Sequence, residues 1–402
     1  MTNGHPDGVT AAKGFQAAGV HCGLKKMKKD LALVYSTVPA VGAGIFTTSK
    51  VQAAPVMVDK MQFKRSSTYR AIVVNSGNAN ACTGERGLND AWSMAKEAAG
   101  ALKIQENEIL VSSTGVIGQY MPMEKISAGI TEASMMLGVE GHASAAEAIM
   151  TTDTFPKEHV NHVNLNGIDV TIGGMAKGSG MIAPNMATML AFITTDVNIA
   201  PDLLQFSLKQ AADHSFNRIT VDGDTSTNDM VLVLANGSAG NERLTSTTDL
   251  NFRAFHNAFE DLLVRLSKMI VLDGEGATKF VEIVVSGAAS EESAVQAARA
   301  TANSSLVKTA IHGEDANWGR ILAAIGYSGI EFNPADVEIF FGEIPILRRD
   351  YRIDFSEVEA KHVLSQKEIR ITINLHQGNA SATFWTCDLS KEYVAINSNY
   401  RT

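Results

Sequence analysis

Residues 177–196, KGSGMIAPNMATMLAFITTD, form a glycine-containing segment that runs into an Ala-Thr bond and continues into apolar, β-prone residues. Because glycine tolerates strained backbone conformations, the hydroxyl of Thr188 can bend back onto the carbonyl of Ala187. Cleavage of that bond makes Thr188 an N-terminal residue, whose free α-amine, with a pKa of about 8, can act as a base for its own hydroxyl. Threonine activated in this way is a known nucleophile. The segment therefore predicts one residue with two uses, first to cut the chain and then to carry an acyl group.

Two other interpretations of this segment compete with self-cleavage. One is a glycine turn that leads into a buried strand and has no chemistry. The other is dinucleotide binding, since Gly178-x-Gly180-x-x-Ala183 fits the loose form of that fingerprint and Asp196 stands where a ribose-binding acid is expected. However, only about ten residues separate the glycines from the next apolar run, and Pro184 is among them, so a crossover helix barely fits. The spacing disfavours a dinucleotide site and leaves the plain turn open.

The segment resembles the self-cleavage and nucleophile segment of the ornithine acetyltransferase (ArgJ, glutamate N-acetyltransferase) family. Further blocks resemble the same family in the same order, and the likeness covers nearly the whole chain. They are NSGNANACTG at 75–84, SSTGVIG at 112–118, TTDTFPK at 151–157, VDGDTSTND at 221–229, HGEDANWGR at 312–320 and the tail at 388–402. Several long blocks in order are far more specific than one short motif.

The resemblance implies an acyltransferase of arginine biosynthesis that acts on small-molecule amino acids. It would move an acetyl group from N2-acetyl-L-ornithine to L-glutamate through an acetyl-Thr188 intermediate, in a ping-pong scheme. Some family members also accept acetyl-CoA, and the motifs leave that second donor open; no other cofactor is expected. Two rival hypotheses remain. One is a self-processed threonine amidohydrolase or aminopeptidase, which hands the acyl group to water, and the other is a non-catalytic binding protein with an uncut chain.

The family match also assigns roles to individual residues. Thr114 and Gly115 follow a predicted strand at a glycine turn, where a hydroxyl and a backbone N–H side by side can hold an oxyanion. Without the resemblance, a plain strand-ending turn is the simpler interpretation. Lys177 is otherwise a solvated surface lysine and Glu275 a solvated turn charge. The substrate-binding positions implied by the resemblance are Thr154, Lys177, Thr188, Glu275, Asn397 and Thr402.

Two acidic clusters imitate metal sites. Asp222-x-Asp224-x-Ser226-x-Asn228 resembles the start of a calcium loop, but Val233 stands where the bidentate acid is needed. We therefore expect a buried polar turn that supports the active site. His312, Glu314 and Asp315 are too close in sequence to close a metal site alone. The sequence predicts no metal.

The expected fold is α+β, with layered sheets between helices. The resemblance implies an ArgJ/DmpA-like, self-cleaved threonine-nucleophile fold in which the cut falls inside one intertwined fold. Residues 1–187 would form the alpha chain and residues 188–402 the beta chain, which would associate as a heterotetramer with two of each.

Hydrophobic periodicity predicts helices and strands in alternation. The predicted strands are Leu31–Thr37, Ala71–Asn75, Ile109–Ser113, Arg218–Asp222, Met230–Ala235, Val281–Val285, Val337–Phe341, Glu368–Asn374 and Ala382–Thr386. The predicted helices are Asn89–Leu102, Glu124–Leu137, Ser144–Met150, Asp202–His214, Phe252–Val271, Glu291–Ile311 and a shorter one that opens near Asn317. The last seventy residues are expected to be mainly strand.

Composition narrows the setting in which the protein acts. The chain has 402 residues, 45% of them hydrophobic, and a formal net charge of −9, which argues against binding to nucleic acid or to an anionic membrane. Three cysteines without paired spacing, Cys22, Cys82 and Cys387, indicate reduced thiols. The polar N-terminus lacks a secretory signal. We expect a cytoplasmic protein.

Overall fold

The computed structural model describes residues 8–183 and 189–399. Its strands are β1 Phe15–Val20, β2 Leu31–Phe46, β3 Tyr69–Asn78, β4 Ile109–Val116, β5 Lys157–Leu165, β6 Ile168–Lys177, β7 Leu190–Thr195, β8 Met230–Ala235, β9 Phe280–Ala288, β10 Glu338–Phe341, β11 Ile344–Leu347, β12 Glu368–Asn374 and β13 Ala380–Cys387. Its helices are α1 Ala54–Arg65, α2 Gly84–Leu102, α3 Met123–Met135, α4 His142–Ile149, α5 Pro201–Asp213, α6 Leu250–Leu272, α7 Glu291–Asn303, α8 Ser305–His312, α9 Trp318–Gly326, α10 Glu357–Leu364 and α11 Lys391–Asn399.

Strand β2 belongs to both halves of an eight-stranded sheet. Its first residues pair with β1 and β3, whereas Val41–Phe46 pair with β8. The pairing with β3 shifts register between Tyr35 and Ala40, an irregularity of the kind that bends a strand. The path runs β4-β3-β2-β8-β7-β6-β5, with β1 beside β2. One strand therefore joins a first half-sheet (β1, β3, β4) to a second half-sheet (β5 to β8).

The two half-sheets stack face to face. Their stacking is visible in the cores, since alternate side chains of a strand enter different cores, one on each face of the sheet. On β7, Phe192 packs in a central core with Val34 of β2 and Val74 of β3. The next residue, Ile193, packs instead with residues of α5 and α6. Helices α2 and α3 cover the outer face of the first half-sheet. The order helix, sheet, sheet, helix confirms the predicted α+β fold with layered sheets between helices.

A second sheet follows in the C-terminal part of the chain. Its order is β11-β10-β12-β9-β13, and it has a separate core with α7, α8, α9 and α10. Strand β13 returns the chain to the core between α6 and the second half-sheet, where Trp385 and Cys387 pack. The tail, expected to be strand or extended, forms the helix α11.

Besides that of the mainly strand-like C-terminal region, which also contains α10 and α11, two further sequence predictions of secondary structure are wrong. Arg218–Asp222 is not a strand; only Ile219 bridges Trp385, because Asp222 turns its carboxylate onto backbone amides of another loop. Glu291–Ile311 is two helices, since Ser304 is extended and its hydroxyl caps α8 by accepting from the Val307 amide. Apolar periodicity continues across that break, which explains the error.

No helix among the described ranges is long and apolar enough to cross a membrane.

Phe192 tests the stacking of the half-sheets. Its side chain is fully buried in the central core, so Phe192→Ala should lower the free energy of unfolding by about 3–5 kcal/mol. The matched control is Phe206→Ala, since Phe206 is 45% exposed and should cost less than about 1 kcal/mol. Urea unfolding measures both values. Equal losses in the two variants would show that Phe192 does not hold the layers together.

Candidate active site

A cavity of about 230 Å³ opens where both half-sheets and the C-terminal helix meet. The ends of β4 and β6, the loop that precedes β8, the turn after α6 and helix α11 all contribute to its wall. Five of the residues assigned from the sequence line it: Thr114, Gly115, Lys177, Glu275 and Asn397. Ala187, Thr188 and Thr402 lie outside the described residues.

Thr114 and Gly115, predicted to form a turn after a strand, lie within the last residues of β4, and this turn-like irregularity of the strand requires glycine. Gly115 has a φ of +130°, and a Cβ there would lie 2.4 Å from the carbonyl carbon of Gly77 on the neighbouring strand. This close approach of β3 and β4 keeps the Gly115 backbone at the cavity wall. The preceding carbonyl, that of Ser113, accepts a hydrogen bond of 2.8 Å from Asn228 Nδ2. The turn is therefore fixed on both sides.

Lys177 is a buried cation at the end of β6. Only 3% of its surface is exposed, and its Nζ donates to Thr114 Oγ1 over 3.3 Å. Burial lowers the pKa of Lys177, and the negative charge of Asp153 opposes that effect. Because the Thr114 oxygen accepts from this cation, its own O–H remains able to donate to an acceptor in the cavity.

Asp153 supports this cation from behind the cavity. Its Oδ1 accepts from the Gly178 amide over 2.8 Å and from Lys157 Nζ over 2.6 Å. Burial alone would raise the pKa of Asp153, but the charges of Lys177 and Lys157 hold it well below its usual range. Lys157 is itself fully buried and also pairs with Asp273 at 2.6 Å. Two lysines and two aspartates thus balance charge behind the cavity wall.

Glu275 supplies a buried carboxylate to the lining of the same cavity. Its Oε2 accepts from Asn397 Nδ2 over 2.8 Å, so helix α11 fixes its orientation. The Glu275 amide donates to Ser179 O over 2.9 Å. A Cβ at Gly180 would lie 2.3 Å from Oε2, which is closer than van der Waals contact allows. Gly180 therefore lets the Glu275 carboxylate approach the backbone of the glycine-containing segment.

The loop 221–229 holds the chain on both sides of residues 184–188. Asp222 accepts from the amides of Met181 and Ile182 over 2.6 and 2.8 Å, and burial raises its pKa. Asp229 Oδ1 accepts from the Met189 amide over 3.1 Å. Burial raises the pKa of Asp229 well above its usual value. Both carboxylates are thus engaged with backbone amides, as expected of a polar turn that supports the site.

Thr154 lies apart from the cavity lining in the described structure. It is exposed, and both its amide and its hydroxyl donate to Asp273. Its neighbours Thr151 and Thr152 line the cavity instead. Sequence reasoning also missed Tyr393, whose hydroxyl donates to Asp222 Oδ2 over 3.2 Å. No pattern pointed to Tyr393, since α11 was not predicted.

The arrangement suits a small ligand with both charges and a reacting carbonyl. Lys177 can receive a carboxylate and Glu275 an ammonium group. Thr114 and Gly115 offer donors to a developing oxyanion. The groups are largely buried, so their electrostatic effects are weakly screened.

Comparisons with known proteins place the chain among related sequences. Residues 16–402 match the ArgJ family. The chain is 52% identical over 398 residues to the arginine biosynthesis bifunctional protein ArgJ of Symbiobacterium thermophilum, covering 98% of each chain. It is 50% identical over 395 residues to that of Thermotoga neapolitana, covering 97% of this chain and 99% of that one. A crystal structure of the arginine biosynthesis bifunctional protein ArgJ from Bacillus halodurans is 48% identical, with a TM-score of 0.51, and covers 52% of this chain and 98% of its own.

Asp153→Asn tests the buried charge balance. The substitution leaves two buried lysines short of a counter-charge, so the free energy of unfolding should fall by about 3–5 kcal/mol at neutral pH. The pKa of Asp153 is lowered in the folded protein, so its contribution is complete above about pH 4, the ordinary pKa of an unfolded aspartate, and is lost as the pH falls through the folded value. The difference between variant and wild type should therefore narrow in acid, as measured by urea unfolding at several pH values.

The matched control is Asp261→Asn, which breaks a half-exposed pair with Arg265 and should cost less than about 1 kcal/mol. A loss in Asp153→Asn as small as this, or one that does not change with pH, would contradict the assignment.

Proposed function

The chain belongs to the ArgJ family, and from this premise and the cavity we propose that it moves an acetyl group from N2-acetyl-L-ornithine to L-glutamate. It is an N-acyltransferase of arginine biosynthesis. The observation that carries the proposal is a cavity lined both by the Lys177–Thr114 pair and by the Glu275–Asn397 pair. Its buried cation and buried carboxylate match an amino acid with an anionic and a cationic end.

The first half-reaction forms an acetyl-threonine. The Thr188 oxygen attacks the acetyl carbonyl of acetyl-ornithine, while its proton passes to its own α-amine. The Thr114 hydroxyl and the Gly115 amide stabilise the resulting oxyanion. The C–N bond to ornithine then breaks, the proton moves to the leaving nitrogen, and the acetyl group stays on Thr188.

The second half-reaction reverses these steps with glutamate. The glutamate α-amine attacks acetyl-Thr188, the same donors hold the oxyanion, and the ester bond to the threonine oxygen breaks. Lys177 receives a carboxylate of each amino acid in turn, and Glu275 receives the free amine of ornithine. A threonine amidohydrolase or aminopeptidase would instead pass the acyl group to water, and membership of the ArgJ family disfavours it. Thr154 and Thr402 are proposed as further substrate contacts.

Cleavage between Ala187 and Thr188 would give fragments of 187 and 215 residues of the 402-residue chain. The sheet explains why they would stay together, since β6 pairs with β7 and β2 pairs with β8 across the cut. The solved Bacillus halodurans chain, which is about half as long as this one, supports a divided chain. We propose that two copies of each fragment assemble in the cytoplasm.

Acetyl-CoA is proposed as a second donor to glutamate. Its thioester would deliver the same acetyl group to Thr188, and relatives are named bifunctional proteins, which supports a second reaction. Neither reaction requires a metal or another cofactor.

Thr188→Ala tests both uses of the nucleophile. Without the hydroxyl, the variant should remain one chain and lose transfer, whereas Thr188→Ser should retain part of each activity. Intact mass spectrometry before and after addition of acetyl-ornithine measures the cut and the acetyl adduct together. Thr247→Ala, in an exposed turn, is the control and should behave as wild type. Cleavage in Thr188→Ala, or a new N-terminus elsewhere, would refute the assignment.

Thr114→Ala tests the oxyanion donor. Loss of one such donor typically lowers turnover by about 10²–10³, so kcat should fall far more than KM changes, and chain cleavage should slow as well. Thr114→Ser, which keeps the hydroxyl, should recover most of the rate. Steady-state kinetics of glutamate acetylation give both constants. An unchanged kcat with a raised KM would reassign Thr114 to substrate binding.

A further inference from the structure

Two adjacent residues, Asn228 and Asp229, connect the two half-sheets at the cavity. They end the loop 221–229 and directly precede β8, and both are buried. Asn228 Nδ2 donates to two carbonyls of the first half-sheet region, Ala79 O over 2.7 Å and Ser113 O over 2.8 Å. The carbonyl carbon of Ser113 is bonded to the amide nitrogen of Thr114. Asn228 therefore fixes the peptide that directly precedes the proposed oxyanion donors.

Asp229 makes the corresponding contact with the second half-sheet. Its Oδ1 accepts from the Met189 amide, whose nitrogen is bonded to the carbonyl carbon of Thr188. Its other oxygen, Oδ2, is buried and has no hydrogen-bond partner among residues 8–183 and 189–399. The Asp229 backbone carbonyl accepts from the Thr47 amide just beyond β2, which anchors the dipeptide itself. Asp229 thus holds the amide that follows Thr188 in sequence, and its neighbour Asn228 holds the carbonyl that precedes Thr114.

We propose that Asn228 and Asp229 are positioning residues that hold the Ser113–Thr114 peptide and the Met189 amide, the neighbours in sequence of the proposed oxyanion donors and nucleophile, at a fixed separation. The proposal rests on the function proposed for Thr188 and Thr114. β4 and β7 are not neighbours in the sheet, so their own backbone pairing does not fix that distance. The dipeptide Asn228–Asp229 does fix it, because it makes one hydrogen bond to the Ser113 carbonyl of β4 and one to the Met189 amide just before β7. A displacement of about 1 Å at a reacting group can lower a rate about 10²-fold, which gives such a clamp a large effect on turnover.

The test compares Asn228→Ala and Asp229→Ala with wild type. Each should lower kcat for glutamate acetylation about 10²-fold, expressed per processed chain as counted by intact mass, and should slow chain cleavage. The KM for glutamate should change less than about threefold, because Asn228 Nδ2 and Asp229 Oδ1 are engaged with backbone groups, although Asn228 also lines the cavity. Asp229→Asn keeps an oxygen that accepts from the Met189 amide, so it should retain kcat within about threefold of wild type.

Two buried residues provide matched controls. Asn241 donates to backbone carbonyls away from the cavity, and Asp196 accepts backbone amides at the far end of β7. Asn241→Ala and Asp196→Ala should lower the unfolding midpoint as the test variants do, and leave kcat per processed chain unchanged. Asn228→Ser or Asp229→Ser replaces the corresponding alanine variant where that variant does not fold.

Three results would overturn the clamp: folded variants at both positions with kcat within about threefold of wild type, an equal loss of kcat in the two controls, or a loss in Asp229→Asn as large as in Asp229→Ala. A wild-type chain that is not cut before Thr188, or that forms no acetyl adduct, would instead refute the proposed function. The two failures are therefore distinct.

Discussion

The buried charge of Lys177 is the constraint on which the site depends. A lone ammonium group in this position would be neutral or would destabilise the fold, because burial disfavours its charge. Asp153 compensates it, and Asp153 is in turn shared with Lys157, which requires Asp273. These buried charge interactions connect β6, the end of α6 and the loop before β5. The cavity has a cation beside Thr114 only because three other buried charges lie behind it.

The layered fold brings residues that line the cavity together from distant parts of the sequence. Thr114 and Gly115 end a strand of the first half-sheet, Lys177 ends a strand of the second, and Glu275 follows the long helix that covers the second. The stacked half-sheets share a core, so these ends meet at one edge without a flexible linker. Loops at such an edge can carry chemistry because the sheets beneath them are rigid.

Sequence reasoning succeeded where a local pattern had one structural solution. The apolar run Met230–Ala235 and the alternation in Glu368–Asn374 predicted these strands with their observed bounds. Thr114, by contrast, was predicted to follow a strand, whereas β4 continues through it to Val116. Residues whose role depends on partners far away were not predictable. Lys157 forms a buried ion pair with Asp273, 116 residues further along the chain, although lysine is usually exposed.

The C-terminal helix α11 escaped prediction for a related reason. In its described part it contributes no buried residue, so no apolar stripe marks it, and its role rests on two polar contacts, those of Tyr393 and Asn397. The break at Ser304 escaped because Ser, unlike Pro or Gly, can also continue a helix. Roles of single residues at the site came from the family likeness, and the hydrogen bonds that hold them came from the structure.

The pairing of β6 with β7 and of β2 with β8 has a consequence for folding if the chain is cut as proposed. In the uncut chain these ladders join segments of a single molecule, and their ends meet by closing a loop, at a cost that rises only slowly with loop length. In a cut chain the same ladders would join two molecules, whose first encounter depends on their concentration. A denatured sample of the cut protein would then have to find its partner again by diffusion. Such a cut would leave a structure that the chain reaches easily only while it is still whole.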